Sequence, residues 1–366
     1  MMDRSFYFNL VNTSLNRQIV SREDCHTILT SSEVELLPLL DAAFQIRKKY
    51  TGREVKVHVI NNIQNGLCPE NCHYCAQART SDAPIEKYPV KSDEEILTEA
   101  KAAYESGAYR YCMVSSGRGP SEKRVEHLGK LIKKIKSLYP IHICVSAGLI
   151  GEDGVKRLKE AGLDRLNHNL NTSERFYPEI CTTHTYQDRL NTLKSANAVG
   201  LEICSGIIVG MGETHNDVID VALNLRELKS PSIPVNFLIP IEGNVLSRYY
   251  NLTPEYCLRV LCLFRFLNPT AEIRVAAGRE GHLRSLEVMS LYPANSLFMD
   301  GYLNTKGSSM AKTLRMIKDA GFTINSDKSI DALLKMAETD EASYRVDGTE
   351  AFMKGLNELR PSLVNK

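Results

Sequence analysis

No charge of one sign dominates this chain: 45 Lys and Arg are set against 44 Asp and Glu, a net charge of +1 over 366 residues. A balance this even gives no electrostatic footprint for nucleic acid or for an anionic membrane, so neither is expected as a partner. No apolar run reaches the roughly 20 residues needed to span a bilayer, and Arg265 interrupts the most hydrophobic stretch. A cationic-then-apolar leader is also missing, since Asp3 and Arg4 fall at the start. With 10 cysteines, the expectation is a reducing, cytoplasmic compartment in which thiols stay reduced or hold metal. Low-complexity segments are absent as well. What is present, 43% hydrophobic and 24% charged residues, is the composition of a globular protein with ample core.

From Glu54 onward, short β-rich runs alternate with longer stretches of helical period, the pattern of a parallel sheet with crossover helices. Eight such units are counted, with strands expected over 55–61, 110–116, 142–148, 165–171, 202–209, 232–239, 272–277 and 296–302. Ser92 followed by Glu95 is a capping-box pattern opening a helix that closes at Gly107,. A second helix is expected over 121–139, with Lys130, Lys133, Lys134 and Lys136 on a solvated face. Eight successive units close most simply into a TIM-type (β/α)8 barrel, α/β in class, with its chemistry at the C-terminal ends of the strands. Residues 1–50 then form an N-terminal helical extension, 51–325 the barrel, and 326–366 a polar tail that packs on or extends from it.

Cys68, Cys72 and Cys75 fall within eight residues, in the loop after the first expected strand. Thiolates suit iron-sulfur clusters and zinc, and a cubane held by protein alone takes four of them. Three leave one iron open for a small molecule, and an open position marks a catalytic metal site. Zinc with His73 as fourth ligand is the alternative, but the usual zinc pattern has a second ligand pair well apart, and none is seen. Cys112, Cys144 and Cys204 lie on the second, third and fifth expected strands. Taken singly each is core, because free cysteine packs as a small hydrophobe; taken together their inward positions converge on one axis, where thiolates can meet around a second cluster. Arg274, on the seventh strand, must be paired or ligated, and its partner is a cluster, a carboxylate or the substrate. Cys25, Cys181, Cys257 and Cys262 show no such convergence, the last two lying in an amphipathic helix.

Asn167, Asn169 and Asn171 alternate, which puts all three on one face of the fourth strand,. Amides donate and accept, as recognition of a ribose or a urea-like group requires, and asparagine is otherwise depleted in strands. By the same parity His168 faces away, a satisfied histidine between barrel and helix. Gly206, Gly210 and Gly212 suggest close backbone approach to a flat ligand. Arg189 either clamps a carboxylate or forms a surface ion pair.

With CPENCHYCAQ come YCMVSSGRGP, NHNLNTS, TTHTYQDRLNT, CSGIIVGMGET, SIPVNFL, IRVAAGRE and YPANSLF. The first carries the CxxxCxxC signature of radical S-adenosylmethionine enzymes, and the set, in order from about Asn61 to about Gly321, resembles the biotin synthase family. The resemblance implies a 4Fe-4S cluster on Cys68, Cys72 and Cys75 whose open iron chelates S-adenosylmethionine, and a 2Fe-2S cluster on Cys112, Cys144, Cys204 and Arg274. It implies reductive cleavage of S-adenosylmethionine to a deoxyadenosyl radical and insertion of sulfur into dethiobiotin. Tyr74, Asn169, Asn171, Arg189, Gly206 and Ile208 would surround S-adenosylmethionine, and Asn167, Asn169 and Asn236 the substrate. A flavodoxin or ferredoxin reductant, iron-sulfur assembly proteins and a second copy in a homodimer are the implied partners. Asn171 stands where many members have aspartate, so its bond to a ribose lacks charge assistance. A lipoyl synthase of the same barrel type, a methylornithine synthase or a hydrogenase maturase is the rival within enzymes. A methylornithine synthase needs no auxiliary sulfur source, so the strand thiols with Arg274 favour sulfur insertion. A non-catalytic iron-sulfur or zinc protein would not need the polar strand face.

Overall fold

Runs rich in Val, Ile and Tyr, bounded by turn residues, form ten strands in the computed structural model, which describes residues 2–248, 252–337 and 353–363. They are β1 (Glu54–Gln64), β2 (Arg110–Ser115), β3 (His142–Ser146), β4 (Arg165–Asn167), β5 (Glu202–Cys204), β6 (Ile207–Val209), β7 (Ser232–Phe237), β8 (Glu272–Val275), β9 (Ser296–Phe298) and β10 (Thr323–Ile324). Every strand pairing is parallel, and β9 pairs back onto β1, so the sheet closes. β5 and β6 share one barrel position, both pairing with β7, and β10 is a short addition beside the start of β1. Eight positions therefore ring the lumen, the (β/α)8 barrel that the alternating pattern implies.

β1 runs on to Gln64 and β6 ends at Val209, but the other barrel strands end earlier than the sequence pattern suggests, because their C-terminal residues turn into the loops that build the site. β4 stops at Asn167 rather than at position 171, and Asn171 takes a left-handed φ of 69°, which asparagine tolerates better than most residues. The expected strand over 202–209 breaks at Ser205 and Gly206. A Cβ on Gly206 would lie 1.8 Å from the carbonyl oxygen of Pro234, so the glycine answers to the packing of the barrel wall. Its own atoms do not line the central cavity.

Three helices, α1 (Arg4–Leu15), α2 (Arg22–Thr30) and α3 (Leu36–Thr51), precede β1 and pack against the helix Pro254–Leu267. Asp3 and Ser21 cap the first two through side-chain oxygens that accept from Ser5 N and Asp24 N,. The helix Pro254–Leu267 is buried at every position from Cys257 to Leu267, so it is wrapped on all sides and not amphipathic as its pattern suggests. Arg265 is tolerated there because it donates to the carbonyls of Pro293, Pro269 and Ala271 and to Asn295 Oδ1,. Among the described residues, no helix is long and apolar enough to cross a membrane.

Helix α4 (Asp93–Glu105) opens with the reciprocal Ser92–Glu95 capping box,. Helix α5 (Glu122–Leu138) leaves Lys130, Lys133 and Lys134 in solvent, while Lys136 is half-buried against Asp164 at 2.6 Å. Beyond β10 the chain is less polar in its contacts than expected of a tail. Leu333 and Leu334 on the helix Ile330–Ala337 pack on Leu314, and Arg360 forms a bidentate pair with Glu95. Residues 338–352 and 364–366 of that segment lie outside the described residues.

Gly206→Ala should lower stability by about 1–3 kcal/mol through overpacking, read from urea denaturation of the metal-free protein. Gly129→Ala, on α5 where the new Cβ would meet Ala161 at an ordinary 3.5 Å, should instead stabilise by roughly 0.5–1 kcal/mol. Equal effects at the two positions would remove the packing account of Gly206.

Candidate functional site

The loop after β1 winds through tight turns, with Cys75 N donating to Cys72 O at 3.0 Å and Ala78 N to Cys75 O at 3.1 Å. Cys68, Cys72 and Cys75 all line a cavity of about 280 Å³ at the C-terminal ends of the strands, together with Tyr74, Arg189 and Ile208. Burial pushes the Cys75 thiol up to about 11 and raises Cys68 as well. Both are therefore protonated at neutral pH without metal, and a metal must displace those protons to bind. His73, the alternative zinc ligand, does not line the cavity.

Arg189 is buried, 7% exposed, so the surface ion pair is excluded. Its guanidinium donates to the hydroxyl of Tyr177, to Asn169 O at 2.8 Å, to Tyr74 Oη at 3.2 Å and to His184 Nε2 at 2.9 Å. Those contacts use four of five N–H groups and leave one on Nη1,. The amide of Asn171 also donates to Tyr74 Oη, so the Tyr74 ring is held from two sides.

Asn167, Asn169 and Asn171 all line the cavity, and so does His168. Strict alternation would have turned His168 away, but the period of two lapses where β4 ends. Nor is that histidine satisfied: its Nε2 is buried without a hydrogen-bond partner among the described residues. Burial, reinforced by Arg189 and His184, holds its pKa well below the ordinary value, which keeps the ring neutral,. Asn236 lines the same cavity while donating to Ile207 O at 2.9 Å and accepting from Ala277 N at 3.2 Å.

Deeper in the lumen lies a second cavity of about 30 Å³, lined by Cys112, Cys144, Cys204 and Arg274. Register explains the convergence, since Cys112 sits beside Cys144 and Cys204 beside Asn167 on adjacent parallel strands,. Asn167 Nδ2 is 3.3 Å from Cys204 Sγ, and Arg274 Nη1 is 3.6 Å from the same sulfur. Contact with Cys144 and burial push the Cys204 thiol up, opposed by Arg274. Val114, Ser146, Asn167 and Tyr302 line both cavities.

The sequence leaves three partners open for Arg274, and the structure supplies a carboxylate. Arg274 Nη2 donates to Glu272 Oε1 and, at 2.9 Å, to Ser232 Oγ. Glu272 also receives Arg165 Nη1 at 3.2 Å and lies 3.0 Å from His58 Nε2. Burial opposes ionisation of Glu272, yet Arg274, His58 and Arg165 hold it well below the usual carboxylate range. Arg274 Nε remains buried without a partner among the described residues. Glu272 is two residues before Arg274 on β8, so strand parity alone places both on one face. His58, Arg165 and Ser232 carry no such signal.

Cys181 overturns its sequence reading. Its sulfur lies 3.7 Å from Cys72 Sγ and 3.4 Å from His184 Nδ1, and the three ligand atoms fall within 4.8 Å of one another. Glu70, also missed, accepts from Thr183 Oγ1 and from Arg118 Nη1 at 3.3 Å and contacts His184.

Two family models match: Radical SAM superfamily over residues 63–225, and Biotin and Thiamin Synthesis associated domain over residues 234–323. The chain is 56% identical over 315 residues to the biotin synthase of Magnetococcus marinus, covering 86% of this chain and 98% of that protein. With the biotin synthase of Acaryochloris marina it shares 58% over 304 residues, covering 83% and 88%. Among solved structures, methylornithine synthase superposes with a TM-score of 0.76 at 18% identity, covering 89% of this chain and all of that one. The hydrogenase maturase HydG of Carboxydothermus hydrogenoformans gives 0.74 at 20% identity, covering 90% and 81%. At such identities these two likenesses concern the fold alone.

Glu272→Gln keeps the volume and removes the charge that compensates Arg274 and Arg165. It should cost about 3–5 kcal/mol, the range for breaking a buried ion pair, measured by chemical denaturation of the metal-free protein. Wild-type stability in this variant would show that the network does not hold the lumen together.

Proposed function

For a chain that belongs to the biotin synthase family of radical S-adenosylmethionine enzymes, we propose that its own side chains divide the work between an outer and an inner chamber of one lumen. The activity is insertion of sulfur into dethiobiotin to form biotin, with cleavage of S-adenosylmethionine. The carbons concerned carry no acidic C–H bond, so general acid–base groups have no proton of suitable pKa to move. The outer cavity is accordingly an iron-sulfur and S-adenosylmethionine site.

The donor sets fit two groups. Three thiols in one loop suit a 4Fe-4S cluster with an open iron. The buried, unpartnered Nε of Arg274 and three converging thiols suit a 2Fe-2S cluster. When bound, these groups and S-adenosylmethionine supply a carbon radical and a sulfur atom, chemistry that no side chain provides.

What remains for the protein is binding, orientation and exclusion of water. Cys68, Cys72 and Cys75 hold the outer cluster. Arg189 offers its remaining Nη1 hydrogen to the methionine carboxylate, held in aim by Tyr177 and Asn169 O. Asn169 and Asn171 bond the ribose, and Asn169 also reaches the ureido group of dethiobiotin; Tyr74 and Ile208 flank the adenine. Gly206 contributes through its carbonyl, which accepts from Asn171 N at 2.9 Å. Asn167 and Asn236 face dethiobiotin, Asn236 with one N–H and one lone pair still free after its backbone bonds,. Cys112, Cys144, Cys204 and Arg274 hold the inner cluster, and Glu272 keeps Arg274 in place.

The carrying observation is the wall common to both chambers: Asn167 lines the outer cavity and lies within 3.3 Å of Cys204 Sγ in the inner one. A substrate resting on that wall would be within reach of both centres. A flavodoxin or ferredoxin reductant would dock beside the exposed loop at Leu67, which is 67% exposed. Iron-sulfur assembly proteins, a homodimer and a cytoplasmic setting complete the reading.

An anaerobic assay of reconstituted protein with dethiobiotin, S-adenosylmethionine and a reductant, scored by mass spectrometry, tests it. Cys72→Ala should suppress deoxyadenosine and biotin together, by more than the ~10–100-fold typical of outer-shell changes. Cys144→Ala should reduce biotin at least about tenfold more than deoxyadenosine. Wild-type deoxyadenosine without biotin would reject the substrate, and equal damage to both products in Cys144→Ala would reject the two-chamber division.

A further inference from the structure

The Cys181 thiol has no task in the two-chamber reading, yet its position is built. Cys181 and Cys72 are 109 residues apart in sequence, and their sulfurs lie 3.7 Å apart. Both residues are buried. The two backbone segments are joined on either side of that contact. His73 N donates to Ile180 O at 2.9 Å, and Asn71 N donates to Thr183 Oγ1 at 3.2 Å. Asn71 Oδ1 accepts from Thr182 N at 3.1 Å and from Thr183 N at 3.2 Å. Cross-links of this kind leave the two sulfurs little freedom to separate.

His184 completes a trio of soft donors with these thiols, but its ring is committed elsewhere. Arg189 can only donate, so His184 Nε2 accepts from it at 2.9 Å,. The hydrogen then sits on Nδ1, directed at Glu70 Oε2. Neither ring nitrogen keeps a free lone pair for a metal ion, and the thiol–thiol contact is the reactive feature left.

We propose that Cys72 and Cys181 form a redox pair that closes when the outer cluster is lost. In the loaded enzyme the Cys72 sulfur is bound to iron and Cys181 stays a free thiol beside it. In the cluster-free chain, hydrogen peroxide reaches Cys72 through the cavity that this residue lines. The sulfur attacks one peroxide oxygen, the O–O bond breaks, and a sulfenic acid and one water result. Cys181 then attacks the sulfenic sulfur, forming the S–S bond and releasing the second water. Two thiols are oxidised by two electrons in total, and peroxide is reduced to two waters. The closed pair withholds one of three cluster ligands, so the chain cannot take up a new cluster until a dithiol reopens it. That last consequence rests on Cys72 being a cluster ligand, whereas the pairing itself does not.

The test uses the full-length, cluster-free protein with one equivalent of hydrogen peroxide, alkylation of the remaining thiols, and peptide mass spectrometry without reduction. The expected product joins the peptides carrying Cys72 and Cys181, lighter by two hydrogens than their sum. Cys72 found free, or joined to Cys68 or Cys75, overturns the pairing. Iron and sulfide uptake, followed by absorbance, should fall about tenfold or more after peroxide and recover with dithiothreitol. Cys181→Ser, first shown to melt and to take up iron like the wild type before oxidation, should keep its uptake after peroxide. Pairing without any loss of uptake would leave the disulfide standing and reject Cys72 as a ligand of the outer cluster.

Discussion

Glu272 is a carboxylate buried at the inner end of the lumen, and the inner chamber depends on it. A barrel interior is a poor place for a guanidinium, because taking a charge out of water is costly unless an opposite charge meets it. Arg274 and Arg165 both point there, and Glu272 receives one from each side. Ser232 and His58 occupy the remaining polar positions around the pair. With that network in place, Arg274 can face three thiols and still leave its Nε without a partner among the described residues. Without it, the strands would have to exclude the arginine or admit water, and either change would alter the register that brings Cys112, Cys144 and Cys204 together.

The outer chamber obeys the opposite logic. Its thiols, Cys68, Cys72 and Cys75, sit on a loop rather than on strands, so they are positioned by contacts with other loops. Arg189 is the hub: it reaches Tyr74 beside the loop cysteines, the backbone of Asn169 after β4, and His184. Asn71 and Glu70 tie the loop to residues 182–184. Rigid strands thus define the inner cavity, and hydrogen-bonded loops define the outer one. Such an arrangement lets a ligand enter from the loop side while the deeper centre stays dry, and a dry site strengthens every electrostatic contact within it.

Much of this could be read before any coordinates. The βα alternation, the Ser92 capping box and the cysteine triplet are local patterns, and a local pattern survives in the order of residues. The asparagine alternation after β4 indicated a polar lining correctly, but for an incomplete reason. The strand ends at Asn167, and loop geometry brings Asn169, Asn171 and the unpartnered His168 to the same wall. For Arg189 the sequence weighed a clamp against a surface pair, and burial removes only the surface pair, four of the five N–H groups being donated to internal acceptors.

The amino-acid sequence by itself determined the number of βα units, the loop that carries the three thiols and the inward positions of the strand cysteines, because periodicity and spacing act between near neighbours. Only the tertiary structure decided that Glu272 also accepts Arg165, that Gly206 answers to the Pro234 carbonyl, and that Cys181 touches Cys72. Those contacts join residues brought together by barrel closure, and no periodicity along a strand or helix encodes which distant loop or strand will lie alongside.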